Sequence, residues 1–148
     1  MKRIISLLLL TCALTLCLAS CSSLPEALKG DTLESTSGFL NTNPDDSEIK
    51  RIVDEVSVLA DAAFKSSTVG YSESDKTIYV VYYSGFSKYG APGVDYSDVI
   101  PSVEGIYNEI SSKVSFGDYS FGIVTVGSSS SILFIIKDRK VVKDNTDW

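Results

Sequence analysis

Two short segments of this chain are apolar at nearly every position, where a half-buried strand would be apolar at every second one. Thr77 to Tyr83 reads TIYVVYY, and Ile132 to Ile136 reads ILFII. Their β-branched and aromatic content marks both as strands. Successive side chains of a strand point to opposite faces. Ile78, Val80 and Tyr82 therefore oppose Tyr79, Val81 and Tyr83. In a third strand, Tyr119 to Val126, Phe121 and Ile123 oppose Val124 and Val126. In the fourth, Ile132, Phe134 and Ile136 are expected to oppose Leu133 and Ile135. A sheet of such strands has two faces to keep from water, and large bare apolar patches are rare on solitary soluble proteins.

Two amphipathic helices can cover one of those faces. Ile49, Ile52, Val53, Val56, Leu59, Ala60, Ala63 and Phe64 recur at three- and four-residue steps, which predicts a helix over 47–66. Asp45, with Glu48 three residues later, is the expected N-cap. Val99, Val103, Ile106, Tyr107, Ile110 and Val114 form a second stripe, with Asp98 as its expected cap and Pro101 tolerated in the first turn. A short strand at 68–72 turns through Glu73-Ser74-Asp75 into the strand at 77–83. Gly127 and the serines 128–131 make a hairpin of the strands on either side. Lys137 to Lys140 turns the chain into a last strand at Val141-Val142. The order is α-(β)-β-α-β-β-β. The fold expected is α+β: a two-layer sandwich with both helices on one face of a mainly antiparallel sheet of four or five strands. Val-Gly pairs at 69–70 and 126–127 precede comparable strands, too little to establish a repeat.

The second face needs another cover. The loop 84–97 (SGFSKYGAPGVDYS) and the segment before the domain could fold over it. A second copy or another protein could pack there, or a small apolar ligand could lie between loop and sheet. The expectation adopted is an open contact surface of Tyr79, Val81 and Tyr83, joined by the loop aromatics Phe86, Tyr89 and Tyr96, since exposed aromatics anchor interfaces.

Composition removes most chemistry. The 148 residues include no histidine, and all three cysteines, Cys12, Cys17 and Cys21, lie in the first 21 positions. A Ser-His-Asp or Cys-His nucleophile is excluded, as are histidine metal sites and, in the domain itself, disulfides. No GxSxG, SxxK or phosphate-cradling GxxxxGK[ST] stretch occurs. The oxygens of Asn41, Asn43, Asp45, Asp46 and Glu48 lack calcium-loop spacing. No cofactor, no metal and no nucleic-acid partner is expected, since acids outnumber bases by 19 to 13. A small hydrolase working with two carboxylates remains the enzymatic alternative, although 19 acids give no means of choosing a pair.

The N-terminus carries the most specific pattern. Met1-Lys2-Arg3 is a basic start, and Ile4 to Leu18 is almost wholly apolar, in the manner of a secretory leader. The leader ends Leu18-Ala19-Ser20-Cys21: an aliphatic residue, two small residues, then cysteine. This resembles the lipobox of bacterial lipoproteins. The resemblance implies that the Cys21 thiol receives a diacylglycerol, that a peptidase removes residues 1–20, and that the new amino group is acylated. A thiolate is the side chain nucleophilic enough for that transfer. It implies a membrane partner through the lipid and a cell-envelope location. Ser22 in the following position favours the outer membrane in a Gram-negative cell; in a Gram-positive cell the place is the outer face of the plasma membrane. Loss of the leader moves the net charge from −6 to −8.

Three parts are therefore expected: a leader (1–20), a lipidated cysteine with a flexible tether (21–44) and the α+β domain (45–148). The tether, rich in Ser, Thr, Gly, Asn and Pro, would have a reach of roughly 25–30 Å. The function expected is a non-enzymatic binding or assembly role at the envelope, with a structural homo-oligomeric subunit as the other alternative.

Overall fold

The stripe that begins at Ile49 forms α2 (Ser47–Ala63), whose Ile49, Ile52, Val53, Val56 and Ala60 are buried in one row. The structure, a computed structural model, describes residues 24–34, 36–87 and 97–146. Asp46 caps α2, accepting from the amides of Glu48 at 2.9 Å and Ile49 at 3.0 Å. The expected cap was Asp45, one residue too early for the first helical turn at Ser47. The second stripe forms α3 (Val99–Lys113), with Asp98 at its N-cap position but no side-chain bond from it. A single additional turn of helix, α1 (Glu26–Lys29), precedes both.

Five strands follow the predicted segments closely: β1 (Ser67–Ser72), β2 (Thr77–Tyr83), β3 (Ser120–Val126), β4 (Ile132–Lys137) and β5 (Lys140–Asp144). They lie in one sheet in chain order, β1-β2-β3-β4-β5. The class is α+β, and the mainly antiparallel sheet expected is corrected to a mixed one. β2 and β3 run parallel, with Ile78 opposite Phe121 and Val80 opposite Ile123. The reason is the intervening α3: a helix between two neighbouring strands returns the chain to its starting end, so the second strand repeats the direction of the first.

Both long helices pack on one face. Their stripes meet Val69, Tyr71, Ile78, Val80, Phe121, Ile123, Phe134 and Ile136. Phe64 stacks on Tyr82 at 4.3 Å between ring centroids, and Tyr107 on Phe121 at 4.9 Å. A β-bulge where Thr125 and Val126 pair with β4 turns Leu133 and Phe134 to the same, helix-facing side. The alternation expected for Ile132 to Ile136 is therefore broken. Ile132 and Ile135 face away from the helices instead.

Candidate functional site

The face away from the helices was expected to be open. It is closed by the segment expected to be a flexible tether. Leu28, Leu33 and Leu40 are buried against Tyr79, Val81, Val124, Val126, Ile132 and Ile135, with Leu24 and Phe39 partly buried beside them. Residues 24–34 and 36–44 thus form a strap, clipped at two places. At β1, Asn41 and Tyr71 exchange backbone bonds of 2.8 and 2.9 Å. At the β3–β4 connection, the Leu33 amide donates to Ser130 at 2.7 Å and the Ile132 amide to Asp31 at 2.8 Å. Lys143, on β5, adds a third hold by donating to the carbonyls of Lys29 at 2.9 Å and Gly30 at the C-terminal end of α1. The physical reason is area: three leucines and a phenylalanine supply the apolar surface that the second face lacks.

Tyr79 and Val81, expected as contact residues, are consequently fully buried. Tyr83 alone of that trio reaches the surface, 38% exposed. Phe86 is half-buried and packs towards the helix-side core. Cys21, Tyr89 and Tyr96 lie outside the described residues.

Under the strap the sheet carries one row of unusual residues. Gly70 pairs with Tyr79, Tyr79 with Gly122, and Gly122 with Lys137. The glycines make this row possible. A Cβ at Gly122 would stand 2.7 Å from Cε1 of Tyr79, so only glycine lets that ring lie across β3 towards β4. A Cβ at Gly70 would stand 3.0 Å from Cβ of Leu40, where the strap passes β1.

At the end of the row sits a buried ion pair. Lys137 Nζ is 2.9 Å from Asp75 Oδ2, and the two side chains are 2% and 4% exposed. The Tyr79 hydroxyl donates to the same oxygen at 2.7 Å. The ammonium lies 6.0 Å from the centroid of the Tyr79 ring, the outer limit of a cation–π contact. Burial, then the bond to Asp75, pushes the Tyr79 hydroxyl far above its ordinary value. The other carboxylate oxygen, Asp75 Oδ1, is buried without a hydrogen-bond partner among the described residues. The cluster leaves no local pattern in the sequence, because Asp75 and Lys137 are 62 residues apart. The available signal was a strand glycine at Gly122 and a lysine ending an apolar strand.

Depressions open on the surface among the described residues, one of them, of about 530 Å³, beside Lys29, Gly30 and Thr32 of the strap. A groove of about 860 Å³ runs between the strap and the β1–β2 turn, lined by Pro25, Phe39, Asn41, Asn43, Tyr71 and Ser74, among others. A smaller hollow, of about 320 Å³, has Tyr107, Phe116, Tyr119 and Phe121 as its walls and Asp138 and Arg139 at its edge. Among the described residues no group of three or more potential ligands is placed to hold a metal ion. No described helix is long and apolar enough to cross a membrane. No family model, curated protein or solved structure matches the chain.

Proposed function

We propose that this chain is a lipid-anchored protein of the bacterial cell envelope, attached through Cys21, whose α+β body binds or assembles with another component and performs no catalysis. The observation that carries the anchor is the run Leu18-Ala19-Ser20-Cys21 behind a basic, apolar leader. A single acyl chain holds a protein only marginally, whereas two or three give durable attachment. The place is the outer membrane in a Gram-negative cell and the outer face of the plasma membrane in a Gram-positive one.

Support for binding over catalysis comes from the ionisable cluster. Asp75 and Lys137 are paired with each other and buried, with the Tyr79 hydroxyl on the same carboxylate oxygen, so neither is presented to a substrate. With Tyr79 and Val81 enclosed, Tyr83 is the residue of the expected contact trio left exposed for a partner. A homo-oligomeric role is favoured by β5, an edge strand on which Val141 and Val142 are exposed.

The anchor is tested by growth with labelled palmitate. The native chain is expected to carry label and to run at the processed size. Cys21→Ser is expected to lose the label and keep its leader. Label retained by Cys21→Ser overturns the reading.

A further inference from the structure

Only Ser22 and Ser23 separate Cys21 from Leu24. An extended chain spans at most about 3.6 Å per residue, so the Cα of Cys21 lies within roughly 11 Å of that of Leu24 in any conformation. Leu24 is not the free end of a tether. It packs against the second-face cluster, Pro25 behind it is buried, and Leu28 is completely enclosed. An acyl anchor on Cys21 therefore pins one place on the body's surface.

That place adjoins the strap-side groove, whose lining begins with Pro25, Glu26 and Ala27. The two long helices lie on the other side of the sheet, with Val58 at 70% exposure pointing away from it. The groove is polar at its rim. Asn41, Thr42 and Asn43 are exposed there, and so are the acids Glu26 and Glu73. The cations at this rim are both engaged: Lys29 with Glu26 at 2.7 Å, and Lys50 with Asn43 Oδ1 at 2.9 Å and Asp54 at 3.8 Å. Such a rim matches headgroups that present an ammonium and repels anionic ones.

Building on the lipid anchor proposed above, we infer that the body docks on the zwitterionic headgroup surface of its own membrane. The strap-side groove faces the lipid and the two-helix face is turned outward. The strap thus serves both sides: its leucines close the sheet, and its outer surface meets the bilayer. The helix face and the Tyr83 end of the sheet remain available to partners in the surrounding compartment.

The mature chain is suited to a direct test, since its one cysteine is the acylated one. Thr42→Cys and Ala27→Cys place a fluorophore at the groove, and Val58→Cys places one on α2. Each variant is purified in acylated form and reconstituted into phosphatidylcholine–phosphatidylethanolamine vesicles containing headgroup spin-labelled lipid. Both groove probes are expected to be quenched severalfold more than the Val58 probe. Vesicles rich in phosphatidylglycerol are expected to narrow the difference, and a widening there overturns the headgroup assignment. Equal quenching at all three positions, in protein shown by mass to be acylated, overturns the docking while the anchor stands. Mass spectrometry that finds Cys21 without acyl groups overturns both.

Discussion

At the scale of single residues, the row Gly70, Tyr79, Gly122, Lys137 holds the two halves of the sheet in register beneath the strap. Removing one member of a buried ion pair leaves the other charge uncompensated. Asp75→Ala and Lys137→Ala are each expected to lose about 3–5 kcal/mol of stability in urea unfolding. The double variant Asp75→Leu/Lys137→Met is expected to lose less than either, because no charge is then stranded. Gly122→Ala drives a methyl into the Tyr79 ring and is expected to cost about 1–3 kcal/mol, read as a lowered midpoint of thermal unfolding. Tyr79 also sets a pH dependence. The folded chain holds the Tyr79 proton more tightly than the unfolded chain, because burial and then Asp75 disfavour the phenolate. The stability this confers is complete below the ordinary tyrosine value, near 10, and is lost as pH rises past it. Urea midpoints are expected to fall above about pH 10, with a smaller fall in Tyr79→Phe. A midpoint that holds steady there would contradict the sealed site.

At the scale of elements, the strap decides what the sheet can do. Lys143→Met removes its hold on the carbonyls of Lys29 and Gly30. Faster hydrogen exchange is expected at the amides of Leu28 and Leu33, with those of β3 unchanged. Leu28→Ala, which opens a cavity against the sheet, is expected to cost about 2–5 kcal/mol. The helices and strands were legible because each repeats an apolar period over several turns or pairs: Ile49 to Ala60, Val103 to Ile110, Ile78 to Tyr82. The strap was legible only as an alternative, a segment packed on the domain through Phe39 and Leu40, and not as the reading adopted. Its leucines at 28, 33 and 40 follow neither the helical nor the strand period, and the residues between them have the composition of a linker. The unbroken apolar strands did announce that a second cover existed. They could not say whether it came from this chain or from another. The parallel β2–β3 pair was hidden for a similar reason: pairing across a helix leaves no local mark. The bulge that turns Leu133 inward depends on β3, a different part of the chain.

At the scale of the whole molecule, closure of the second face in cis removes the main reason for the body to associate through its sheet. The lipid-free body, residues 22–148, is expected to be a monomer by light scattering, and a stable dimer would favour the β5 edge as a subunit contact. Closure also fixes an order of events. The strap is synthesised first, yet the surface it seals is completed by Ile132 and Ile135 of β4 and held by Lys143 of β5, near the other end of the chain. Leu28 and Leu33 must wait, without their final contacts, until nearly the whole polypeptide has emerged. A chain cut short before β4 would keep its strap but lose Ile132, Ile135 and the Lys143 hold, leaving a greasy back only partly covered and recognisable to chaperones and proteases.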